Sequence, residues 1–284
     1  MTAAELICKF NLPEQTLMAI QKRQLPKNHN DLKASFFTKT SLFSSFAKSD
    51  PDGLSVLSLY LHWAVDTKKL YDRVGIPEEY FWDSMKDIAI WCEDYLPKHG
   101  VPGFKEWEWV GRSLRLEVTR IGRLQFEPIS LKQTLELDDK TYSTGTPMLD
   151  VHIPAGEPLS VEAAIEAMHQ APIFFNNYFG RTIEPPFLNS KAVLLFPLLH
   201  CHSWLLSPDL KNLLPEHSRI IQFQNLFTVY KTDNEERQAE ERVFGFLSDD
   251  PGKYPETTSL QRSVKEYMLA GKTVMMGAGI RKAE

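Results

Sequence analysis

The sequence predicts an α+β fold, with a helical domain over residues 1–110 and a mixed-sheet domain over residues 111–284. Three observations predict it. Apolar residues recur at helical spacing up to about residue 96. They switch to two-residue alternation after residue 112. The segment between, PKHGVPGFKEWEWVG, is rich in Pro, Gly and aromatics and marks the change.

In the first domain, Pro13-Glu14 opens a helix through LMAIQKRQ that ends near Pro26. Ser49-Asp50-Pro51-Asp52 caps a second helix, in which Leu54, Leu57, Leu61, Ala64 and Val65 follow helical spacing and Gly75 supplies the stop. A third begins at Ile76-Pro77-Glu78-Glu79 and closes at Pro97 and Gly100, with Phe81, Met85, Ile88, Trp91 and Cys92 as its apolar stripe. Trp63, Trp82 and Trp91 read as core packing.

In the second domain, Leu114, Leu116 and Val118, then Ile121, Leu124 and Phe126, describe a hairpin turning near Arg120-Ile121-Gly122. A third strand is expected near 131–137 and a fourth over MLDVHIP, residues 148–154. A Pro-Gly turn then leads into a helix after Ser160. The order continues with a buried strand over 192–200, a short helix over 208–214, a strand over 219–230 and a solvated charged stretch over 233–242. A helix capped by Thr258 and Gly271 and a last strand near 272–281 complete the chain. The strands at 149–154 and 192–200 would be a parallel pair, joined by the helix as a right-handed crossover.

Composition excludes several functions. A formal charge of −5 and a pI near 5.9 give no footprint for nucleic acid or an anionic membrane. Cys8, Cys92 and Cys201 are odd in number and far apart, which fits reduced thiols in the cytoplasm better than disulfides. The longest apolar run, AVLLFPLL, is too short to span a bilayer, and the N-terminus lacks the pattern of a signal peptide. A cytoplasmic protein is expected.

Chemistry concentrates in two places. Ile153-Pro154-Ala155-Gly156-Glu157-Pro158-Leu159-Ser160 is a strand end, a turn and a helix start, where unpaired N–H groups and the helix dipole can meet an anion. Its plain structural reading is a turn with Ser160 as N-cap. His200-Cys201-His202-Ser203 is the second place. It is a poor zinc motif, because in a strand His200 and His202 would share a face with Cys201 opposite, and no other Cys/His cluster completes a ligand set. Cys201 lacks a sequence-evident partner as a nucleophile. His202 and Ser203 are candidates for proton transfer where a strand leaves the sheet, set against a capping role in the turn. Glu127, at a strand end, is a candidate carboxylate base, set against a surface ion pair with Arg123 or Arg112.

The phrases VHIPAGEPLSVEAA…FFNNYF, CHSWLLSPDLKNLLPEHSRIIQFQ and TSLQRSVKEYMLAGKTVMMGAG resemble the GNAT-like C-terminal domain of bacterial acyltransferase domain-containing proteins. The preceding region is similar to the helical N-terminal domain that accompanies it. The resemblance implies two parallel strands that splay to admit the pantetheine arm of acyl-CoA, acetyl-CoA being the expected donor. It implies pyrophosphate at Ile153, Ala155, Gly156 and Ser160, and no metal. It further implies direct attack by an amine or hydroxyl of a small-molecule or peptide acceptor, with His202 as base, Glu127 as the alternative base and Ser203 beside them. The chain departs from the family loop Gln/Arg-x-x-Gly-x-Gly/Ala and from its tyrosine on the following helix, where residues 208–216 read PDLKNLLPE. A non-catalytic module that keeps the fold without that loop is the competing expectation.

Overall fold

The computed structural model describes residues 3–179, 196–234 and 236–283. Its contacts divide the chain into two compact units: Met1–Ile121 with Pro154–Glu157, and Gly122–Ile153 with Pro158–Glu284.

The first unit is helical. It comprises α1 (Ala3–Ile7), α2 (Glu14–Gln21), α3 (His29–Phe37), α4 (Ser41–Ser49), α5 (Leu54–Val74), α6 (Glu78–His99) and α7 (Trp107–Leu114), and ends in the short strand β1 (Thr119–Ile121). The long helices α5 and α6 carry the core. Val56, Leu57, Tyr60, Leu61 and Ala64 of α5 are wholly buried, as are Phe81 and Ile88 of α6. Gly75 and Gly100 end these helices in the left-handed conformation that a side chain resists. Pro97 does not close α6 as its type suggests, because the helix runs on to His99 before Gly100 stops it. The Pro/Gly-rich segment after it contains α7, and Leu114 therefore belongs to a helix and not to the expected alternation.

The second unit is built on a mixed sheet. Its elements are β2 (Leu124–Ser130), β3 (Leu135–Leu137), β4 (Lys140–Tyr142), β5 (Pro147–His152), α8 (Val161–Tyr178), β6 (Leu198–Ser203), α9 (Leu210–Leu213), α10 (Arg219–Gln224), β7 (Thr228–Asp233), α11 (Gln238–Phe244), α12 (Ser259–Leu269) and β8 (Met276–Lys282). Within the unit the strands run in the order β2-β5-β6-β8-β7, and β3 and β4 form a separate hairpin. β5 and β6 are parallel, while β2–β5, β6–β8 and β7–β8 are antiparallel. The expected strand over 192–200 begins outside the described residues, and its described part is displaced to 198–203. The expected strand over 219–230 splits into α10 and β7. The Ser218 hydroxyl accepts the N–H of Ile220, and that cap lets Ile221 and Phe223 bury from a helical turn. Thr258 and Gln261 form a reciprocal capping box at the start of α12.

Paired residues share a face of a sheet, and side chains alternate faces along each strand. Glu127, Asp150, His200 and Ile280 therefore lie in one row across β2, β5, β6 and β8. His152 and His202 lie two residues further along on that same face. On the opposite face, Arg281 sits across from Leu199 and its Nη1 lies 3.5 Å from Met168 Sδ, so α8 covers that side. Part of the first face is covered by the β3–β4 hairpin, whose Leu137 and Tyr142 pack with Met148, Leu198 and Ile280.

Candidate active site

The pairing of β5 with β6 covers only Met148–Leu198, Leu149–Leu199 and Asp150–His200. Both strands then continue without each other. His152 keeps its place beside Gln125 of β2, while Cys201, His202 and Ser203 stay paired with Gly279, Ala278 and Gly277 of β8. The two parallel strands thus part company after Asp150 and His200.

A chain of titratable groups crosses the polar face at that fork. His200 Nδ1 lies 2.8 Å from Asp150 Oδ1. A carboxylate accepts hydrogen bonds, so this contact suits the His200 tautomer with its N–H on Nδ1, which leaves Nε2 as the acceptor. On the other side of the same aspartate, His152 Nε2 stands 3.7 Å from Asp150 Oδ2 and 3.4 Å from Glu127 Oε2. All four side chains are partly buried, between 12% and 23% exposed, which keeps them within reach of solvent or substrate. The Tyr230 ring, on β7, lies 6.1 Å from that of His200. Burial and the negative charge of Asp150 both push the Tyr230 phenol up, so it stays a proton donor at neutral pH. A cation could be held only by Glu127, Asp150 and His152, the one group among the described residues whose ligand atoms lie within 4.8 Å of one another.

The residues singled out from the sequence divide among several places. Glu127 stands in the row with Asp150 and His200. His202 is on the same face but is turned to β7, with Nε2 3.2 Å from Asp233 Oδ2. Ser203 is buried and its hydroxyl accepts the N–H of Leu205, so it caps the turn that follows β6. Cys201 is fully buried on the opposite face, and burial pushes its thiol well above the ordinary range, which removes it as a nucleophile. Ile153 is half-buried one residue beyond the end of β5. Ser160 is the N-cap of α8, accepting from Ala163 N–H. Ala155 and Gly156 are exposed in the first unit, and Gly156 has φ +89°. Glu157, whose charge would oppose an anion, is paired at 3.0 Å with the buried Arg120 of its own unit. Gly156 and Glu157 also border a cavity of about 510 Å³ in that unit, with Lys9, Trp82 and Lys86 on its wall.

Reasoning from sequence singled out His202, Glu127 and Ser203, whereas the structure sets Asp150 and His152 beside Glu127 and places His200 against Asp150. Aspartate and histidine alternating in MLDVHIP carry no signal alone. The register that sets Asp150 beside His200 is a property of the sheet. Tyr267 donates to Asp209 Oδ1 at 2.9 Å and so has a structural partner.

Comparison with known proteins agrees with this architecture. Residues 118–281 match the family model described as the GNAT-like C-terminal domain, and residues 1–116 match the N-acyltransferase N-terminal domain. Among solved structures, an acyltransferase in complex with decanoyl-CoA and teicoplanin is 23% identical, with a TM-score of 0.74 over 99% of this chain and 88% of that one. An acyltransferase mutant in complex with octanoyl-CoA is also 23% identical, with a TM-score of 0.74 over 99% of this chain and 87% of that one. These likenesses share the fold. No curated protein sequence matches the chain. Among the described residues, no helix is long and apolar enough to cross a membrane.

Proposed function

Because this chain belongs to the family defined by the GNAT-like C-terminal domain, joined here to an N-acyltransferase N-terminal domain, we propose that it transfers an acyl group from acyl-CoA to an amine. The observation that carries the reading is the fork between β5 and β6 immediately after Asp150 and His200. A pantetheine arm is an extended chain with amide groups, of a width that suits the gap where two parallel strands diverge.

The chemistry follows from the groups at the fork. His200, held through Nδ1 by Asp150, takes a proton from the acceptor nitrogen on Nε2. The lone pair of the neutral amine attacks the thioester carbonyl carbon, His200 takes the proton that the nitrogen sheds as the C–N bond forms, and backbone N–H groups stabilise the oxyanion. Collapse breaks the C–S bond, Tyr230 protonates the departing thiolate, and solvent takes the proton from His200 and restores the one on Tyr230. Tyr230 thereby replaces the tyrosine that the segment after β6 lacks. His202 and Glu127 take supporting roles, His202 through its pair with Asp233. The N-terminus of α8, capped by Ser160, receives the pyrophosphate. The donor is a medium-chain acyl-CoA in preference to acetyl-CoA, supported by the octanoyl- and decanoyl-CoA found in the similar structures. The acceptor is a small amine-bearing molecule, supported by the teicoplanin in one of them.

Titration calorimetry with acetyl-, octanoyl- and decanoyl-CoA tests this proposal. Binding of the longer donors at micromolar concentration, followed by thiol release on addition of an amine, is expected. A folded protein that binds none of them at millimolar concentration overturns it. Binding without transfer to any amine favours a non-catalytic module, the reading suggested by the two prolines flanking Gly156.

A further inference from the structure

We infer that Glu127, Asp150 and His152 form a binding site for one divalent cation, Zn²⁺ in preference to Mg²⁺, an ion that the family resemblance does not call for. One donor atom from each side chain lies within 4.8 Å of the other two. His152 Nε2 is 3.4 Å from Glu127 Oε2 and 3.7 Å from Asp150 Oδ2. Both distances exceed the usual hydrogen bond between nitrogen and oxygen. They are the edges of a tetrahedron whose corners lie about 2.1–2.3 Å from its centre, close to the bonds that zinc makes with imidazole nitrogen and carboxylate oxygen.

The sheet makes these three side chains converge. Glu127 and Asp150 are register partners on β2 and β5, and His152 stands one pleat further along β5 on the same face. Register thus sets two carboxylates directly opposite each other, a destabilising pair unless positive charge lies between them. Among the described residues, the ion-pair partners of Asp150 are the imidazoles of His152 and His200, with no lysine or arginine. The three side chains are between 18% and 23% exposed, so an ion held by them is largely shielded from bulk water, where its attraction to the carboxylates is stronger. A nitrogen ligand beside the oxygens favours Zn²⁺ over Mg²⁺, which takes oxygen ligands. Three protein ligands leave a fourth position for water. Asp150 then bridges the ion through Oδ2 and His200 Nδ1 through Oδ1. The ion withdraws negative charge from the carboxylate that steadies the His200 imidazolium, so occupancy slows acyl transfer. That consequence alone rests on the catalytic reading of His200.

The test is titration calorimetry of Zn²⁺ into the full chain after chelator treatment and dialysis, which needs no substrate. One ion per chain with a micromolar Kd is expected, together with a rise in unfolding temperature. Glu127→Gln, Asp150→Asn and His152→Phe should each weaken binding about 10-fold or more, whereas His200→Ala, which removes no ligand, should stay within about 3-fold. Co²⁺ in place of Zn²⁺ should give visible d–d absorption that is lost in folded His152→Phe. A parent protein that binds Zn²⁺ only at millimolar concentration overturns the inference. So do folded ligand variants that bind it as tightly as the parent, since the ion is then held elsewhere. Equal affinity for Mg²⁺ overturns the assignment to zinc. Zn²⁺ that binds through the three residues but leaves thiol release from decanoyl-CoA unchanged counts against the catalytic reading of His200 and leaves the site standing.

Discussion

Asp150 Oδ1 accepts a hydrogen bond from His200 Nδ1 at 2.8 Å at the last point where β5 and β6 remain paired. One residue pair thus marks both the end of the parallel ladder and the start of the polar network. A register shift of one residue would turn both side chains to the face covered by α8, so the site is tied to the sheet that carries it.

Removing the base should separate chemistry from binding. His200→Ala is expected to lower kcat by about 10²–10⁴-fold and to leave the Kd for decanoyl-CoA within a few-fold. His202→Ala should lower kcat less than 10-fold, roughly, because its imidazole is turned to Asp233 and is not needed at the fork. Steady-state kinetics with calorimetry on the same preparations checks both.

Tyr230→Phe removes the phenol while keeping the ring that packs beside Leu198 and Ile280. A fall in kcat of about 10-fold or more with unchanged unfolding temperature is expected if the phenol protonates the thiolate. Both limbs of the pH–rate profile should be recorded. The phenol is pushed up by burial and by Asp150, so no loss assignable to Tyr230 should appear below pH 10.

Gly156→Val should destabilise the first unit before any question of ligand arises. The backbone there has φ +89°, and a Cβ would stand 3.1 Å from Cδ1 of Ile90. A β-branched side chain at such an angle costs about 1–3 kcal/mol. Thermal unfolding of the ligand-free protein reads that cost.

Acid should loosen the second unit through Glu240. Its carboxylate accepts from Arg237 Nη2 at 2.6 Å and from the Tyr254 hydroxyl at 2.6 Å. Burial alone would raise its pKa, but these donors outweigh it and hold the group below the usual carboxylate range. A lowered folded pKa contributes stability that is fully present above the unfolded value of about 4.3 and lost as pH falls through the folded value. Urea denaturation at pH 7 and pH 3 should show a smaller loss on acidification for Glu240→Gln than for the parent protein.

Thiol reagents give a rapid check on the cysteines. Cys8 is exposed, while Cys92 and Cys201 are buried, with the Cys92 thiol pushed up to about 12 by burial. One thiol should react with an aromatic disulfide reagent in native protein at pH 8, and three in denaturant. Rapid native labelling of Cys201 would restore it as a candidate nucleophile.

The sequence by itself determined the class of fold and most of its elements. The helical spacing from Leu54 to Val65, the Thr258 cap and the Ser160 cap are local signals, because capping and amphipathic spacing act within one or two turns of chain. Even the parallel pairing of β5 and β6 could be inferred, since a strand, helix and strand in succession favour it. Where local signals conflicted, as in RIIQFQ, the cap at Ser218 and burial of Phe223 overruled the β-branched residues. Only the tertiary structure set His200 beside Asp150 and His202 beside Asp233, gave Ser203 a capping role and brought Glu127, Asp150 and His152 together. Glu127, Asp150, His152 and His200 are separated by between 2 and 73 positions along the chain. Their meeting depends on hydrogen-bond register between strands, a long-range property that residue types alone leave undefined.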